Sequence, residues 1–553
     1  MTDDAGSGAQ PSYNQPSKNA ARVLSLTHAV ELLTSRREDA AIVSADHVER
    51  VREALLASDI YVDVGAGRSC EDADIASWRT FRTISIGTRD PAELTVAYLA
   101  GPEPSNDLLA LLDLGLRPEN IWAFEADPGM VTAGLNNLRD LRLRGIKFIP
   151  AKMDEYLVGT PRRFDIIYAD TCGPLPSDKQ KTTSLIVDIF RHGALAPLGV
   201  LITNFSRPNV NFEREMKTYS ALVAAYLFPK GFVEQDGNMV EGPPVHGFEL
   251  RCDDAEECFT TKVQGEFEVH YGAFITRHVM DIAEIIAPTM RLIASGLHKA
   301  LFDPDLSKAA QRGRRFVRFD QEAFNEDAEE SQEPEIDGDA ITEPEFLTLI
   351  WTLSALGIFE TDENFDIPGR TVRDFAKKWK NQFWGSRPGP ISAEDAVASF
   401  YAWRNDHSLW SAAMQTIAAF PYRTEMPSLC DVPTDEVGFY PAFAQLGYPA
   451  HPNVREARRF RYVAEGKSTP MFLDVIAFDE CRYVYDWLSA SHLVSDDWSN
   501  LSSQMTFRCA LDGIAKERRW FGDDFLYGCH VVGESEKFPT SELAARVDLS
   551  ANL

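Results

Sequence analysis

Gly101, Glu125 and Asp170 are the residues whose types and spacing suggest chemistry, and each closes a short apolar run. The first run leads into Ala100-Gly101-Pro102-Glu103-Pro104-Ser105. A residue without a side chain there lets the backbone turn tightly and lets a ligand approach it. A helix beginning near Asn106, with Ser105 or Asn106 as cap, would aim its first amides at the same place. The loop holds one glycine, so a plain strand-to-helix turn accounts for it about as well. The second run ends in Phe124-Glu125-Ala126-Asp127-Pro128, and Glu125 follows Gly101 by 24 residues. An acidic side chain about 20 residues after such a loop can accept the hydroxyl hydrogens of a ribose. Asp127, just before a proline, suits a helix N-cap instead. The third run, FDIIYAD, ends at Asp170, which could orient an acceptor group or take its proton. Cys172 is a weaker candidate as nucleophile, because neither a histidine nor a helix start adjoins it to lower the thiol pKa.

Holding these residues together requires strands that end at one edge of a sheet. Short apolar runs at 94–99, 121–124, 147–149, 164–169 and 199–204 read as strands. The stretches 106–116, 128–143 and 182–194 between them read as helices. Such alternation builds βαβ units and a doubly wound, mostly parallel sheet with helices on both faces. In that class, ligands bind at the carboxyl ends of the strands, where strand order reverses. A helix at 213–228 follows. Phe248 to Arg251 and Glu266 to Ile275 are the expected closing strands, the second on its alternation of Phe267, Val269, Tyr271, Ala273 and Ile275. Residues 278–301 read as a helix.

Upstream, residues 22–57 read as helices, and 60–64 and 83–86 as strands. The run IYVDVGAGRS at 60–69 is a rival glycine loop through Gly65 and Gly67. It would make 83–86 the second strand and Asp90 the ribose acid. That choice displaces every later strand, so the start at Gly101 is preferred and Gly65 and Gly67 become an upstream loop.

The 553 residues suggest several domains. The expected division is a disordered tail at 1–21, a helical extension at 22–93, a Rossmann-like domain at 94–318, an acidic linker at 319–345, and a mainly helical or mixed domain at 346–553. The linker carries twelve acidic residues between Asp320 and Glu345, too little apolar material to offset ordering entropy. Net charge is −29, from 84 acidic and 55 basic residues, which counts against a wide nucleic-acid surface but leaves a local basic groove open. Arg139, Arg142, Arg144 and Lys147 read as a solvated helix face, as do Arg312, Arg314, Arg315 and Arg318. Arg455, Arg458, Arg459 and Arg461 read either as a phosphate-contact surface or as a surface helix. Eight cysteines without a CxxC pair point to a reducing compartment. Cys252, Cys258 and His270 match zinc-ligand spacing poorly, and no metal is expected. The polar start lacks the features of a secretory signal, and no run reaches the roughly 18 apolar residues of a membrane helix. A cytoplasmic protein without a membrane partner is the expectation.

The run FEADPGMVTAGLNNLRDLRLRGIKFIPAKMDEYL at 124–157 resembles the segment after the second strand in class I S-adenosylmethionine-dependent methyltransferases. With the neighbouring strands, the resemblance covers residues about 94–275. It implies a Rossmann-like core that binds S-adenosylmethionine. Ala100, Gly101 and Pro102 would hold the methionine portion, and Glu125 with Ala126 the ribose. Met153 and Asp154 would border the adenine, Asp154 accepting from its amino group, and Asp170 would face the methyl acceptor. The sequence departs from the amino-methylating members: Asp170 precedes Thr-Cys-Gly, not Pro-Pro-aromatic, so methylation of adenine or cytosine amines is not implied. The pattern D-x-x-G-x-x-P is loosely similar to tRNA guanine-N2 dimethyltransferases, over a few residues. The resemblance implies methyl transfer to an unidentified acceptor, with a protein partner possible through the C-terminal half. The rivals are a non-catalytic nucleotide- or partner-binding scaffold and a dinucleotide-dependent oxidoreductase, whose G-x-G-x-x-G fingerprint is missing from both loops.

Overall fold

The computed structural model describes residues 15–57, 71–209, 213–227, 263–313, 378–418, 449–465, 467–483 and 543–550, with a few short pieces between them. Five strands build the centre: β1 (Val96–Leu99), β2 (Ile121–Phe124), β3 (Lys147–Ile149), β4 (Phe164–Asp170) and β5 (Leu195–Ser206). Three more extend it: β6 (Arg458–Val463), β7 (Pro470–Asp479) and β8 (Val547–Asp548). The order across the sheet is β8-β6-β7-β5-β4-β1-β2-β3, and a ninth piece, His451–Pro452, pairs with β7. The run from β3 to β5 is parallel. β7 is antiparallel to both β5 and β6. The protein is therefore α/β, doubly wound on a mostly parallel sheet.

Apolar runs produce this centre because both of its faces are covered. Ile166, Ile167, Val200, Leu201 and Ile202 are each 0% exposed, and each such side chain contributes about 1.5–3 kcal/mol. From β1 the chain steps outward to β2 and β3, then returns to β4 and β5. Right-handed crossovers then put helices α4 (Ser105–Asp113) and α5 (Pro128–Asp140) on one face. Helices α6 (Met153–Gly159) and α7 (Thr182–Arg191) cover the other. Local signals start several helices. Asp127 accepts from the Met130 amide at the head of α5, with Pro128 behind it. Upstream lie α1 (Pro16–Leu33), α2 (His47–Ala57) and α3 (Asp72–Ile86). Pro16 opens α1, which packs on α4 and along β6 and β7.

The structure corrects several expectations. Residues 83–86 are the last turn of α3, not a strand. Ile75, Trp78, Arg82 and Ile86 form its buried stripe, and Ile84 is 74% exposed. This removes the rival register, in which 83–86 would be the second strand. Asp90 instead caps the short turn Pro91–Glu93, accepting from the Ala92 amide. The loop at 60–69, with Gly65 and Gly67, lies outside the described residues. Glu266 to Ile275 is also helical, within α9 (Phe267–Asp281), after α8 (Glu213–Leu227). Its apolar residues satisfy both periods, but Phe267, Tyr271, Phe274 and Ile275 are buried while Val269 is 70% exposed. Phe248 to Arg251 lies outside the described residues.

The partner strand of β5 comes from far along the chain. Met471 to Asp479 faces Ser206 to Leu198 through nine residue pairs. The expected separation of 94–318 from 346–553 thus does not extend to the sheet, which takes strands from both sides of the acidic stretch. The run Arg458 to Arg461 is strand β6, not a surface helix. Its cations are internally engaged: Arg461 pairs with Glu268 and Asp548, Arg459 donates to the Ala544 carbonyl, and Arg458 pairs with Glu456.

Candidate functional site

Strand order reverses between β1 and β4, so the switch point lies at the ends of β1, β2 and β4. The ends of β1 and β2 are in register: the Ala100 amide donates to the Phe124 carbonyl at 2.9 Å, and the Glu125 amide to Ile149 at 3.1 Å. Gly101 adopts φ +59°, and a Cβ there would meet nothing within 4 Å. The positive φ favours glycine, and the space above it is open. Gly134 of α5 approaches closely from below. A Cβ on it would lie 2.9 Å from the Phe148 ring and 3.4 Å from the Gly101 carbonyl.

The start of α4 differs from expectation. Its N-cap is Pro104, with no side-chain cap, and the Ser105 amide donates to the Asn137 side chain of α5 at 3.1 Å. That amide is thus taken by protein. Glu125 is half-buried, and its Oε1 accepts from the Asp127 amide at 2.8 Å. This fixes the carboxylate and leaves its second oxygen able to accept further hydrogen bonds. Ala126 is exposed beside it.

Asp170, at the end of β4, sits in a polar network. Lys18 of α1 places Nζ 2.9 Å from Oδ2, and Asn204 of β5 donates to Oδ1 at 2.9 Å. The Asn204 amide nitrogen also lies 2.7 Å from the Tyr462 hydroxyl of β6, and the Cys172 thiol donates to Oδ1 at 3.5 Å. Burial by itself would raise the Asp170 pKa, but the Lys18 charge and the bonds from Lys18, Asn204 and Cys172 outweigh it and hold the carboxyl below its usual range. Burial opposes the Lys18 charge, yet Asp170 wins there too and raises that pKa above the lysine norm. The Asp170 charge, then burial, push the Cys172 thiol up to about 12. It stays protonated at neutral pH and is no nucleophile. Alongside, Arg22 of α1 donates to Asp107 of α4 at 2.6 Å.

Met153 is buried at the head of α6, and Asp154 follows it, half-buried, with its pKa raised by burial. Asp154 does not join Asp170. It lines a cleft of about 370 Å³ between α6, α7 and the turn Asn381–Trp384, with Lys152, Lys181, Ser184, Gln382 and Arg387. The fold therefore brings Gly101, Glu125 and Asp170 to adjoining strand ends and puts Asp154 beside a separate cleft. Sequence reading missed Lys18 and Tyr462, which reach the Asp170 network from distant positions with no local motif. Asn204 carried one signal, as the last residue of the run GVLITN.

No protein-family model matches this chain, and no curated protein does. Among solved structures it is similar to StiE O-MT residues 942–1257. That match is 14% identical, covers 42% of this chain and 86% of the other, and has a TM-score of 0.17. The fold assignment rests on the sheet itself.

Proposed function

We propose that this chain is a methyltransferase that uses S-adenosylmethionine. The observation that carries the reading is the open, glycine-floored strand end at Gly101, flanked by Glu125 on β2 and Asp170 on β4. The residues at the strand ends fit the methionine and ribose portions of the cofactor. Gly101, with Ala100 and Pro102, leaves room for the methionine portion. Glu125 has an oxygen for the ribose hydroxyls, beside Ala126, whereas Met153 is buried and Asp154 lines a cleft that the strand-end residues do not enter, so the purine contact expected of that pair finds no support. When bound, the cofactor supplies a methyl group on a sulfonium, which needs an in-line nucleophile shielded from water. Asp170, held ionised, is a weak base. It orients the acceptor by accepting a hydrogen bond from its O–H or N–H group. Lys18 and Asn204 fix the carboxylate for that task.

The antiparallel β7 supports this reading over a dinucleotide oxidoreductase, whose sheet continues 3-2-1-4-5-6. The internal engagement of the β6 arginines, with a net charge of −29, favours a small-molecule or protein acceptor over nucleic acid. Among the described residues no helix is long and apolar enough to cross a membrane. The sparse cysteines support a cytoplasmic setting.

One observation favours a second reading, a non-catalytic scaffold on the same fold: Lys18 already occupies Asp170. Titration calorimetry of the full chain with S-adenosylmethionine and S-adenosylhomocysteine tests the cofactor, with Glu125→Ala alongside. Micromolar binding, weakened at least about tenfold by the substitution, is expected for a charged hydrogen-bond partner. Absence of binding to both ligands would sink the cofactor reading. Binding without methyl transfer to any acceptor class would leave the scaffold.

A further inference from the structure

We infer that the surface at the amino-terminal ends of β2, β3 and β4 docks an acidic peptide segment of a partner protein, one with an apolar residue among its carboxylates. These strands are parallel, so the surface lies at the opposite end of the sheet from Gly101, Glu125 and Asp170. It stands independently of the cofactor reading.

Five cations converge there: Arg117 before β2, Arg142 and Arg144 in the loop before β3, Lys147 at the start of β3, and Arg162 before β4. Contacts join these segments. The Lys147 Nζ lies 3.9 Å from the centre of the Trp122 ring, and the Arg162 guanidinium lies 4.6 Å from the same ring. A Cβ on Gly145 would lie 3.1 Å from the Pro118 side chain. The four arginines are exposed and Lys147 is half-buried. None of the five forms an ion pair among the described residues. The acids of the same segments are Glu119 and Asp140, so five cations face two acids in a chain of net charge −29. Glu119 acts on Lys147 by charge, but burial and the Arg162 charge prevail and lower the Lys147 pKa.

Structural duties account for the neighbouring cations but not for this set. Arg139 sits in the last turn of α5, where a cation meets the helix dipole, and bonds to Asn136. Arg163 pairs with Glu480 at 2.8 Å. A lysine on the edge strand β3 discourages edge pairing, which explains Lys147 alone. Arg117, Arg142, Arg144 and Arg162 remain, each able to take a carboxylate through paired N–H donors. Leu141, 50% exposed, stands immediately before Arg142. An apolar side chain between carboxylates would cover it. A nucleic acid matches this surface less well. Trp122 is 4% exposed beneath its two cations and offers no stacking platform, and Leu141 would face phosphate oxygens. The net charge also repels an extended polyanion over the rest of the molecule.

The test is fluorescence anisotropy on the full chain with a labelled peptide of repeated Glu-Leu-Glu-Glu, beside a Glu-Ser-Glu-Glu peptide and a labelled DNA duplex. A chain of net charge −29 repels such peptides elsewhere, so binding reports this surface. The wild type should bind the leucine peptide saturably and more tightly than the serine one. Arg144→Glu combined with Arg162→Glu should weaken it at least about tenfold through like-charge repulsion. Lys179→Glu, at an exposed cation before α7, should leave it unchanged. Leu141→Ser should remove the preference for leucine. Thermal unfolding checks that each variant keeps its fold, and Arg144→Glu alone carries the same test with a smaller loss. No saturable binding by the wild type, or undiminished binding by the folded charge-reversed variants, overturns the docking surface. Tighter binding of the duplex than of the leucine peptide overturns the peptide assignment in favour of nucleic acid. Equal affinity of the wild type for the two peptides overturns the apolar part of the assignment.

Discussion

At the scale of single residues, the network at the end of β4 depends on how Asp170 is charged. Lys18 and Asp170 are nearly buried, with side chains 14% and 12% exposed. Breaking such a pair from one side leaves the other charge uncompensated, at a cost of about 3 kcal/mol. Lys18→Met should therefore destabilise the chain by about that amount at neutral pH. The Asp170 pKa should then rise, because burial no longer meets an opposing charge. The sign of the pH dependence follows from the two shifts. The lowered Asp170 pKa gives stability that is present above the ordinary carboxylate value of about 4 and is lost as pH falls through the folded value. The raised Lys18 pKa gives stability that is fully present below the ordinary lysine value of about 10.4 and is lost as pH rises through the folded one. Urea midpoints of wild type and variant should differ across neutral pH and converge in acid. A difference that persists unchanged in strong acid would show that Lys18 acts by packing alone.

At the scale of elements, two neighbouring acids have different surroundings. Asp127 caps α5 by accepting from the Met130 amide at 2.9 Å, whereas Glu125 faces the strand ends. Asp127→Ala should lower stability by about 1 kcal/mol while ligand affinity is retained, as read by thermal unfolding and calorimetry on the same samples. Glu125→Ala should show the reverse. The cap was legible in the sequence, since a proline after Asp127 marks a helix start. The helical state of 267–275 was not. Alternating apolar residues fit a strand locally, and only packing of Phe267, Tyr271, Phe274 and Ile275 on one side decides for the helix.

At the scale of the whole molecule, the sheet ties the chain's distant parts together. β5 hydrogen-bonds to β4 on one side and to β7 on the other. A fragment ending at residue 345 would retain β1 to β5 but leave residues 198–206 of β5 as an open, apolar edge. Such an edge templates association between chains. The fragment should aggregate on refolding, and adding residues 346–553 in trans should increase its soluble yield, measured by size-exclusion chromatography. A soluble monomeric fragment would show that the first five strands are sufficient without β7.

The sequence alone determined the alternation of strands and helices from 96 to 206, because a buried parallel strand must be a short apolar run and its crossover helix an amphipathic one. It likewise singled out Gly101, Glu125 and Asp170, since residues at strand ends inherit their place from the strand. Tertiary structure alone decided what surrounds them. Lys18 and Tyr462 arrive from α1 and β6, and β7 rather than 266–275 lies beside β5. Those placements depend on which buried faces meet across hundreds of residues. Periodicity within a segment cannot encode them, because it records that a face is buried and not what covers it.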